Sequence, residues 1–566
     1  MDEFNFDSEF SSSAYFDLNG NIYHGVLEFG NRNEILFRLN DGLKIDNEVL
    51  NSQDAILCYS EEKYFYLNQC SLYGDKIYAE HIAIGLNDYF KITSIELNIN
   101  SLHHVINGVN NSLVFREGAF CISKNINNFD VSIENHDEIK RIYDRWGIFS
   151  KASNADGYSV NVIQRHIIRL DAVDCFEMTD VDRQVKFIIS LFSTLTLLRL
   201  DISYVWLVSE SDGKKRKYPF YFLSDKSEVD KGDRYHWGSS FLNLSMLDGS
   251  LWAKIFNGAY SDFDFKRLCP RFSGMLSYDG YWEFDVLGFV SIFDAYLASK
   301  VYEKNNKLPN SLRHKLNEII SNLDPDLHFE STRDREEYLR VKDKLMIFSS
   351  RNMTLQDRYV RFMNSMDFSA KKAIGLNSSD FHEIKKIRDD IAHMTPRLDK
   401  KHKDFKRIFE IRDKLIISIC YFFLKGFHLS EKEFACSVIL SINPIKIGSG
   451  FENKWLRRVV DEIFSIKVRR GDIDKIMHEN YFGVVLVRAG DVFHYNDNLN
   501  SFFKDNYLYN IKLKGKSNDC DFIESHFCKD DFEGYQCKHM NIIHAYFDDE
   551  FVEVNNVYLI DRSFGS

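Results

Sequence analysis

Short apolar segments separated by turn residues dominate the first part of the chain. Segments such as 34–39 and 64–67 are rich in aromatic and β-branched residues, and Asn-Gly or Asn-Asp pairs lie between the segments. This pattern is typical of antiparallel strands. A longer apolar stretch over 180–200 predicts one buried helix, and strand-like segments return after it. We therefore predict a β-rich N-terminal region over residues 1–270.

The pattern becomes helical from residue 281 onward. Apolar side chains recur at three- and four-residue steps, as one buried face of a helix requires. Further segments with this spacing are 312–322, 335–348, 355–366, 381–393 and 405–427. These segments predict an all-α domain over residues 275–430.

The last part of the chain mixes both patterns. A helix over 455–466 and a strand over 482–487 are followed by a tail that is rich in Cys and His. We predict a small α+β region over residues 431–566. The fold class is therefore α+β and multidomain, in agreement with a length of 566 residues and domains of roughly 150 residues each.

The composition of the chain excludes several classes of protein. Hydrophobic residues make up 44% of the chain and charged residues 28%, which is typical of a folded globular protein. The formal net charge of −12 excludes a uniformly basic nucleic-acid coat, so any polyanion must meet a local patch. Acidic residues near Met1 and apolar stretches shorter than the roughly 20 residues of a membrane span predict a cytoplasmic protein without a membrane partner.

The most informative residues lie at the end of the predicted helix 381–393. Pro396 disfavours helical geometry at the residue before it, so His393 is expected in the last turn. Arg388 precedes His393 by five residues, or about 140° around a helix, so the two side chains converge only across a groove or a symmetric partner. Arg binds phosphate with two donors, and His exchanges protons near neutral pH.

The sequence around this pair is stronger evidence for a function than the spacing of the two residues. Arg followed by His after four to six residues also occurs at Arg397…His402 and Arg488…His494, but neither of those pairs lies at the end of a predicted helix. An Arg-polar-x-apolar-Ala-His string near a helix end, followed by one more long helix in an all-helical block, resembles the HEPN family of ribonucleases. The organisation, with a β-rich region before this block, resembles the ApeA-like abortive-infection proteins.

The resemblance implies an anti-phage endoribonuclease that needs no cofactor for catalysis. It implies that two HEPN domains pair, in a homodimer or a higher even oligomer, and bring two Arg/His sets into one cleft. Arg388 would neutralise the scissile phosphate and His393 would transfer a proton. Asp389 stands where the family more commonly has Asn, and we expect it to orient Arg388 or His393. The substrate would be cellular RNA, with tRNA as one candidate, and a phage-encoded protein would be the trigger.

A basic segment surrounds the Arg/His pair. Residues 385–407 contain nine basic and four acidic residues within an acidic protein, and such a patch attracts phosphates. The candidate RNA-binding residues are Lys385, Lys386, Arg397, Lys400, Lys401 and Lys403. The alternative interpretation is a solvated loop and the start of the next helix.

A second class of function stays open at this point. The HEPN domain could be a non-catalytic module that binds nucleotide or a protein partner and acts as a scaffold. The sequence contains no Walker A loop and no H-E-x-x-H motif, so it gives no support to P-loop nucleotide hydrolysis or to zincin proteolysis.

The tail contains a candidate structural zinc site. Thiolates and imidazoles are the preferred ligands of zinc, and the best set in this segment is Cys520, Cys528, Cys537 and His539, with His526 as a substitute. Their spacing does not match a standard pair of C-x-x-C knuckles. The alternative is that these are reduced cysteines in an ordinary aromatic-rich tail.

Overall fold

The computed structural model divides the chain into two compact units, Met1–Phe451 and Glu452–Ser566. It describes residues 4–40, 45, 55–60, 63–86, 91–100, 102–106, 113–116, 119–122, 128–153, 160–211, 214–224, 237–302, 315, 318, 355–392, 405–460, 464–479, 483–514, 519–524, 533–547 and 550–565. The three predicted regions 1–270, 275–430 and 431–566 stay predictions.

The first unit begins with a closed barrel of six antiparallel strands. Strands β1–β6 are Glu9–Leu18, Asn21–Gly30, Asn33–Leu39, Ala55–Ser60, Lys63–Tyr73 and Lys76–Ile84. They pair in the order β6-β3-β2-β1-β4-β5, and β5 pairs with β6 to close the ring. Alternate side chains point inward, and Phe16, Phe37 and Phe65 are fully buried, as period-2 patterning requires.

A second antiparallel sheet continues from the barrel. Strands β7–β14 are Ile92–Ile99, Leu113–Arg116, Ala119–Ile122, Asp130–Ser132, Ile139–Ser153, Val160–Phe176, Ile202–Ser211 and Lys214–Phe222. Six of them form the order β10-β11-β12-β7-β13-β14, and β14 pairs with β6 of the barrel. The predicted β-rich character of the N-terminal region is confirmed.

The predicted buried helix joins this sheet to the helical part of the unit. Helices α1–α4 are Leu102–Ile106, Met178–Thr196, Gly249–Ser261 and Phe263–Leu276. In α2, Thr194 Oγ1 lies 3.4 Å from Cys269 Sγ of α4, and Cys420 Sγ donates to the Thr194 carbonyl over 3.5 Å. The β-rich and helical parts therefore share one core.

The helical part of the first unit overlaps the residues that the sequence predicts to be all-α. Helices α5–α9 are Trp282–Tyr302, Leu355–Ser365, Phe368–Ile374, Ser378–Ala392 and Phe405–Gly426, and α10 and α11 are Glu431–Val438 and Pro444–Gly448. Residues 413–424 of α9 are all buried, so α9 is a central helix. The predicted helices 312–322 and 335–348 lie outside the described residues, apart from Lys315 and Glu318, which are helical.

The second unit is a five-stranded mixed sheet with helices. Its elements are α12 Asn453–Val460, β15 Phe464–Lys467, α13 Ile473–Glu479, β16 Val484–Ala489, β17 Val492–Tyr495, α14 Asp497–Lys514, α15 Asp519–Glu524, β18 Gln536–Phe547 and β19 Glu550–Asp561. The strand order is β15-β18-β19-β16-β17. One face packs around Ile543 and Leu559 and the other around Phe503 and Tyr558.

Among the helices that the structure describes, none combines the length and the apolar composition that a transmembrane span needs.

Candidate active site

Helix α8 is fixed to the helical part by one buried stripe. Phe381, Ile384 and Ile387 recur at three-residue steps, and each is at most 2% exposed. The Phe381 ring stacks on Tyr359 of α6, with centroids 3.9 Å apart. Residues that border this stripe, such as Arg388 four positions after Ile384, therefore have a defined direction on the helix surface.

A buried ion-pair network fixes the start of α8 to α9. Asp380 is fully buried, and its carboxylate accepts from Arg407 and, over 3.4 Å, from Lys414 Nζ. Arg407 also donates to Glu410 over 2.7 Å. Arg407 belongs to the basic segment 385–407, but in the structure it holds α8 and α9 together.

These contacts show which helix ends meet. Lys414 contacts Asp380, whereas Arg407, two turns earlier in α9, also approaches Glu383 at 3.9 Å, so α8 and α9 are antiparallel. Helices α5 and α9 are parallel, because Asp285 pairs with Arg412 and Tyr296 hydroxyl donates to the Phe422 carbonyl. The end of α8 and the starts of α5 and α9 therefore share one end of the bundle. We call it the Arg388 end.

Arg388 is accessible at this end. Its side chain is 38% exposed, and its Nε lies 3.9 Å from Asp389 Oδ1, which is beyond hydrogen-bond reach. Among the described residues, Asp389 is the ion-pair partner of Arg388. The guanidinium can therefore bind a phosphate without breaking a buried ion pair. The role of Asp389 in orienting Arg388 stays a prediction.

The other predicted residues of the site are placed only in part. Lys385 and Lys386 are exposed on α8. Lys406, a further member of the basic segment 385–407, is exposed on α9. Helix α8 is described as far as Ala392, the residue before His393. The predicted catalytic His393 and the predicted RNA-binding residues Arg397, Lys400, Lys401 and Lys403 lie outside the described residues.

A second buried charge cluster lies between α5 and α9, and sequence analysis missed it. Arg412 donates to Asp285 Oδ2 and to Asp413 Oδ1, each over 2.7 Å. A Cβ at Gly448 would lie 2.3 Å from Asp413 Oδ2, so a larger residue there would displace the Asp413 carboxylate. Burial raises the pKa of Asp413 to about 6 against the attraction of Arg412, and burial also raises the pKa of Asp285. The spacing of residues along the sequence does not show that α5 and α9 pack together.

This cluster predicts a pH dependence of stability. Because the folded-state pKa of Asp413, about 6, exceeds its ordinary value of 3.8, the folded protein keeps a proton that the unfolded chain releases. The resulting stabilisation is complete below about pH 4 and is lost as the pH rises through about 6, by about 3 kcal/mol.

Urea unfolding across this pH range tests that prediction. The difference in the free energy of unfolding between the wild type and Asp413→Asn should fall as the pH rises from about 4 to about 6. A difference that stays constant across this range would contradict the account.

The predicted zinc ligands lie in the second unit. Cys520 of α15 is buried, and Cys537 of β18 packs partly buried against the same Tyr558 core. His539 Nε2 lies 2.7 Å from Asn556 Oδ1, and Cys528 lies outside the described residues. Over the described residues there is no group of three His, Cys, Asp or Glu side chains that could hold a metal ion. The zinc site stays a prediction.

Comparison with known proteins identifies the helical part. Residues 287–433 match the model of the family described as Apea-like HEPN. The protein contains an Apea-like HEPN domain. The matched segment includes α8, the Arg388 end of α9 and the position of His393. No curated protein and no solved structure matches the chain.

The match extends over about a quarter of the chain. HEPN domains are typically ribonucleases, so the match supports a nuclease-type, RNA-related role in abortive infection. The barrel and the second sheet lie outside the matched residues.

Proposed function

We propose that this protein is an anti-phage abortive-infection endoribonuclease that cleaves cellular RNA, with tRNA as one candidate substrate. The observation that carries the proposal is the position of Arg388. It lies partly exposed near the end of a HEPN helix, five residues before His393, and it forms no buried ion pair among the described residues. Its charge is available for a phosphate group.

The chemistry that fits this pair is transfer of the phosphate to the neighbouring 2′-hydroxyl. The 2′-oxygen forms a bond to phosphorus, the bond from phosphorus to the 5′-oxygen breaks, and the products are a 2′,3′-cyclic phosphate and a 5′-hydroxyl. His393 takes the 2′-hydroxyl proton or supplies one to the leaving 5′-oxygen. Arg388 stabilises the charge that develops on the phosphate, and Asp389 orients Arg388. No metal ion is needed for these steps.

The site is proposed to be shared between two copies of the chain. Arg388 and His393 are five residues apart, or about 140° around a helix. The two side chains of one copy therefore point in different directions and do not meet at one phosphate. A partner related by two-fold symmetry supplies the same groups from the opposite side. We therefore propose a homodimer or a higher even oligomer, in which a cleft receives RNA.

The β-rich region is proposed to sense a phage-encoded trigger. Helix α2 packs against α4 and α9 through Thr194, Cys269 and Cys420. Because protein interiors are tightly packed, a rearrangement in the β-rich region would displace side chains in the core of the HEPN domain. This contact supports regulation of the nuclease from the N-terminal side.

Infection of bacteria that express the protein tests this function. Cells with the wild type should cleave their RNA after phage infection, and sequencing of new 5′-hydroxyl ends should identify the cut RNA. Cells with His393→Ala at equal protein level should keep intact RNA and lose protection. Protection that persists in His393→Ala cells, with RNA intact in both strains, would contradict the enzyme and favour the scaffold.

A further inference from the structure

Four aromatic side chains cluster at the Arg388 end of the HEPN domain. Tyr281, Trp282 and Phe284 lie at the start of α5, and Phe405 is the first residue of α9. Tyr281 is 77% exposed, Phe284 55% and Phe405 50%. The rings of Trp282 and Phe405 meet edge to face, with centroids 5.7 Å apart. We call these four residues the aromatic patch.

The patch is held in place by charged contacts. Arg199, just after α2, binds both carboxylate oxygens of Asp279 over 2.7 and 2.8 Å and donates to the Ser277 carbonyl over 2.7 Å. The Asp285–Arg412 pair fixes the first turn of α5 to α9. Exposed apolar rings on a fixed backbone lose little conformational entropy when a ligand covers them.

The antiparallel packing of α8 and α9 places the patch at nearly the same level along the bundle as Arg388. Arg407 and Lys414 of α9 both contact Asp380 of α8. Asp380 therefore lies at the level of the α9 residues midway between them, near Glu410. At 1.5 Å per residue, Phe405 is roughly 7 Å from this level and Arg388 roughly 12 Å, both toward the same end. The two residues therefore differ by about one helical turn along the axis.

We propose that the aromatic patch is a platform on which unpaired bases of the RNA substrate stack beside the cleavage site. This inference rests on the proposed function and adds how the substrate is positioned. Unpaired RNA bases are commonly bound by stacking on aromatic side chains while cations hold the phosphates. The Arg388 end provides both, because Lys385, Lys386 and Lys406 are exposed there.

Charge favours RNA, rather than direct contact with the second copy of the chain, as what covers the patch. In the proposed dimer the two Arg388 ends border one cleft, so the lysines of both copies face that cleft and repel one another unless an anion lies between them. The acidic residues here are partly used inside the chain, since Asp279 pairs with Arg199 and Asp285 with Arg412. A nucleic acid strand brings the opposite charge to Lys385 and Lys406.

Two probes separate base stacking from phosphate binding. The first is a single-stranded uridine RNA of about 12 nucleotides, and the second is an abasic ribose-phosphate oligomer of equal length. Fluorescence anisotropy measures their binding to the full chain carrying His393→Ala, in EDTA. Because this background does not depend on cleavage, failure of the platform and failure of the proposed nuclease give different results.

The test variant is the double replacement Tyr281→Ala and Phe284→Ala, at two exposed positions. The matched control is Phe263→Ala. Phe263 is 74% exposed and starts α4 at the opposite end of the bundle, where Asp262 approaches Gly426.

We expect the unmodified patch to bind the uridine oligomer more tightly than the abasic one. The double variant should weaken uridine binding by about ten-fold or more and leave abasic binding unchanged, whereas Phe263→Ala should change neither. Equal binding of both probes before mutation, equal loss of both in the double variant, or no RNA binding at all would overturn the proposal. The proposal would also be overturned if the double variant had a smaller oligomeric mass and still preferred the uridine oligomer. The patch would then be an interface between two copies of the chain.

Discussion

Replacing Arg388 by alanine is expected to lower the rate of RNA cleavage by about 100-fold or more, because a donor to the developing phosphate charge is lost. The fold should stay intact, since the side chain is 38% exposed and its described ion-pair partner, Asp389, is 3.9 Å away. Single-turnover cleavage and thermal unfolding measure the two effects. Arg388→Lys should recover part of the rate, because Lys keeps the charge but loses the two-donor geometry.

Arg267→Ala is the matched control for this prediction. Arg267 is an exposed arginine of α4 that pairs with Asp264 at 3.5 Å, and it lies away from the Arg388 end. Its replacement should leave cleavage unchanged. Wild-type cleavage by Arg388→Ala, or an equal loss in both variants, would contradict the role of Arg388.

Removing the carboxylate of Asp380 is expected to cost about 3 kcal/mol in the free energy of unfolding. Asp380→Ala leaves the positive charges of Arg407 and Lys414 without their fully buried partner. Urea unfolding of the full chain measures the loss. The start of α8 should also loosen from α9, so cleavage should fall together with stability.

Glu383→Ala is the control for this second prediction. Glu383 lies on the same helix, is 37% exposed and approaches Arg407 at 3.9 Å, so its loss should cost at most about 0.5 kcal/mol. A cost for Asp380→Ala as small as that of Glu383→Ala would show that the buried network does not hold the helices together.

The sequence predicted α8 well because its information is local. The spacing of Phe381, Ile384 and Ile387 alone defines the buried stripe. The predicted helix 381–393 and the observed Ser378–Ala392 agree over the described residues. The position of Arg388 beside that stripe was therefore available before any tertiary contact was known.

Helices α3 and α4 were missed although their capping residues are visible in the sequence. Asp248 accepts from Leu251 N, and Asp262 accepts from Asp264 N and Phe265 N, which are standard N-terminal caps. Pro270 lies inside α4, where proline normally disfavours a helix. Burial of the α4 residues Leu268 and Phe272 compensates, and that burial depends on partners far along the chain.

The predicted helix over 455–466 was correct only in its first half. Helix α12 ends at Val460, and residues 464–467 form strand β15, which pairs in parallel with residues 543–546 of β18. A pairing partner almost 80 residues away decides the conformation here. Local periodicity contains no information about such a partner.

The buried charges of the site depend on distant contacts in the same way. Asp285 and Arg412 are 127 positions apart, and Asp380 and Arg407 are 27 apart. Composition showed a basic segment but could not show that Arg407 within it is used to bind α8. Only the tertiary structure shows that Arg407 and Arg412 pair with the carboxylates of Asp380 and Asp285, whereas Arg388 is partly exposed.

RNA cleavage in EDTA by the purified wild type, His393→Ala and His382→Ala tests the central claim most directly. His382 is an exposed histidine on α8 and serves as the control. The account predicts cleavage by the wild type and by His382→Ala, and a rate lower by about 100-fold or more for His393→Ala at unchanged oligomeric mass. Equal cleavage by all three proteins, or cleavage only when a divalent metal is added, would contradict it.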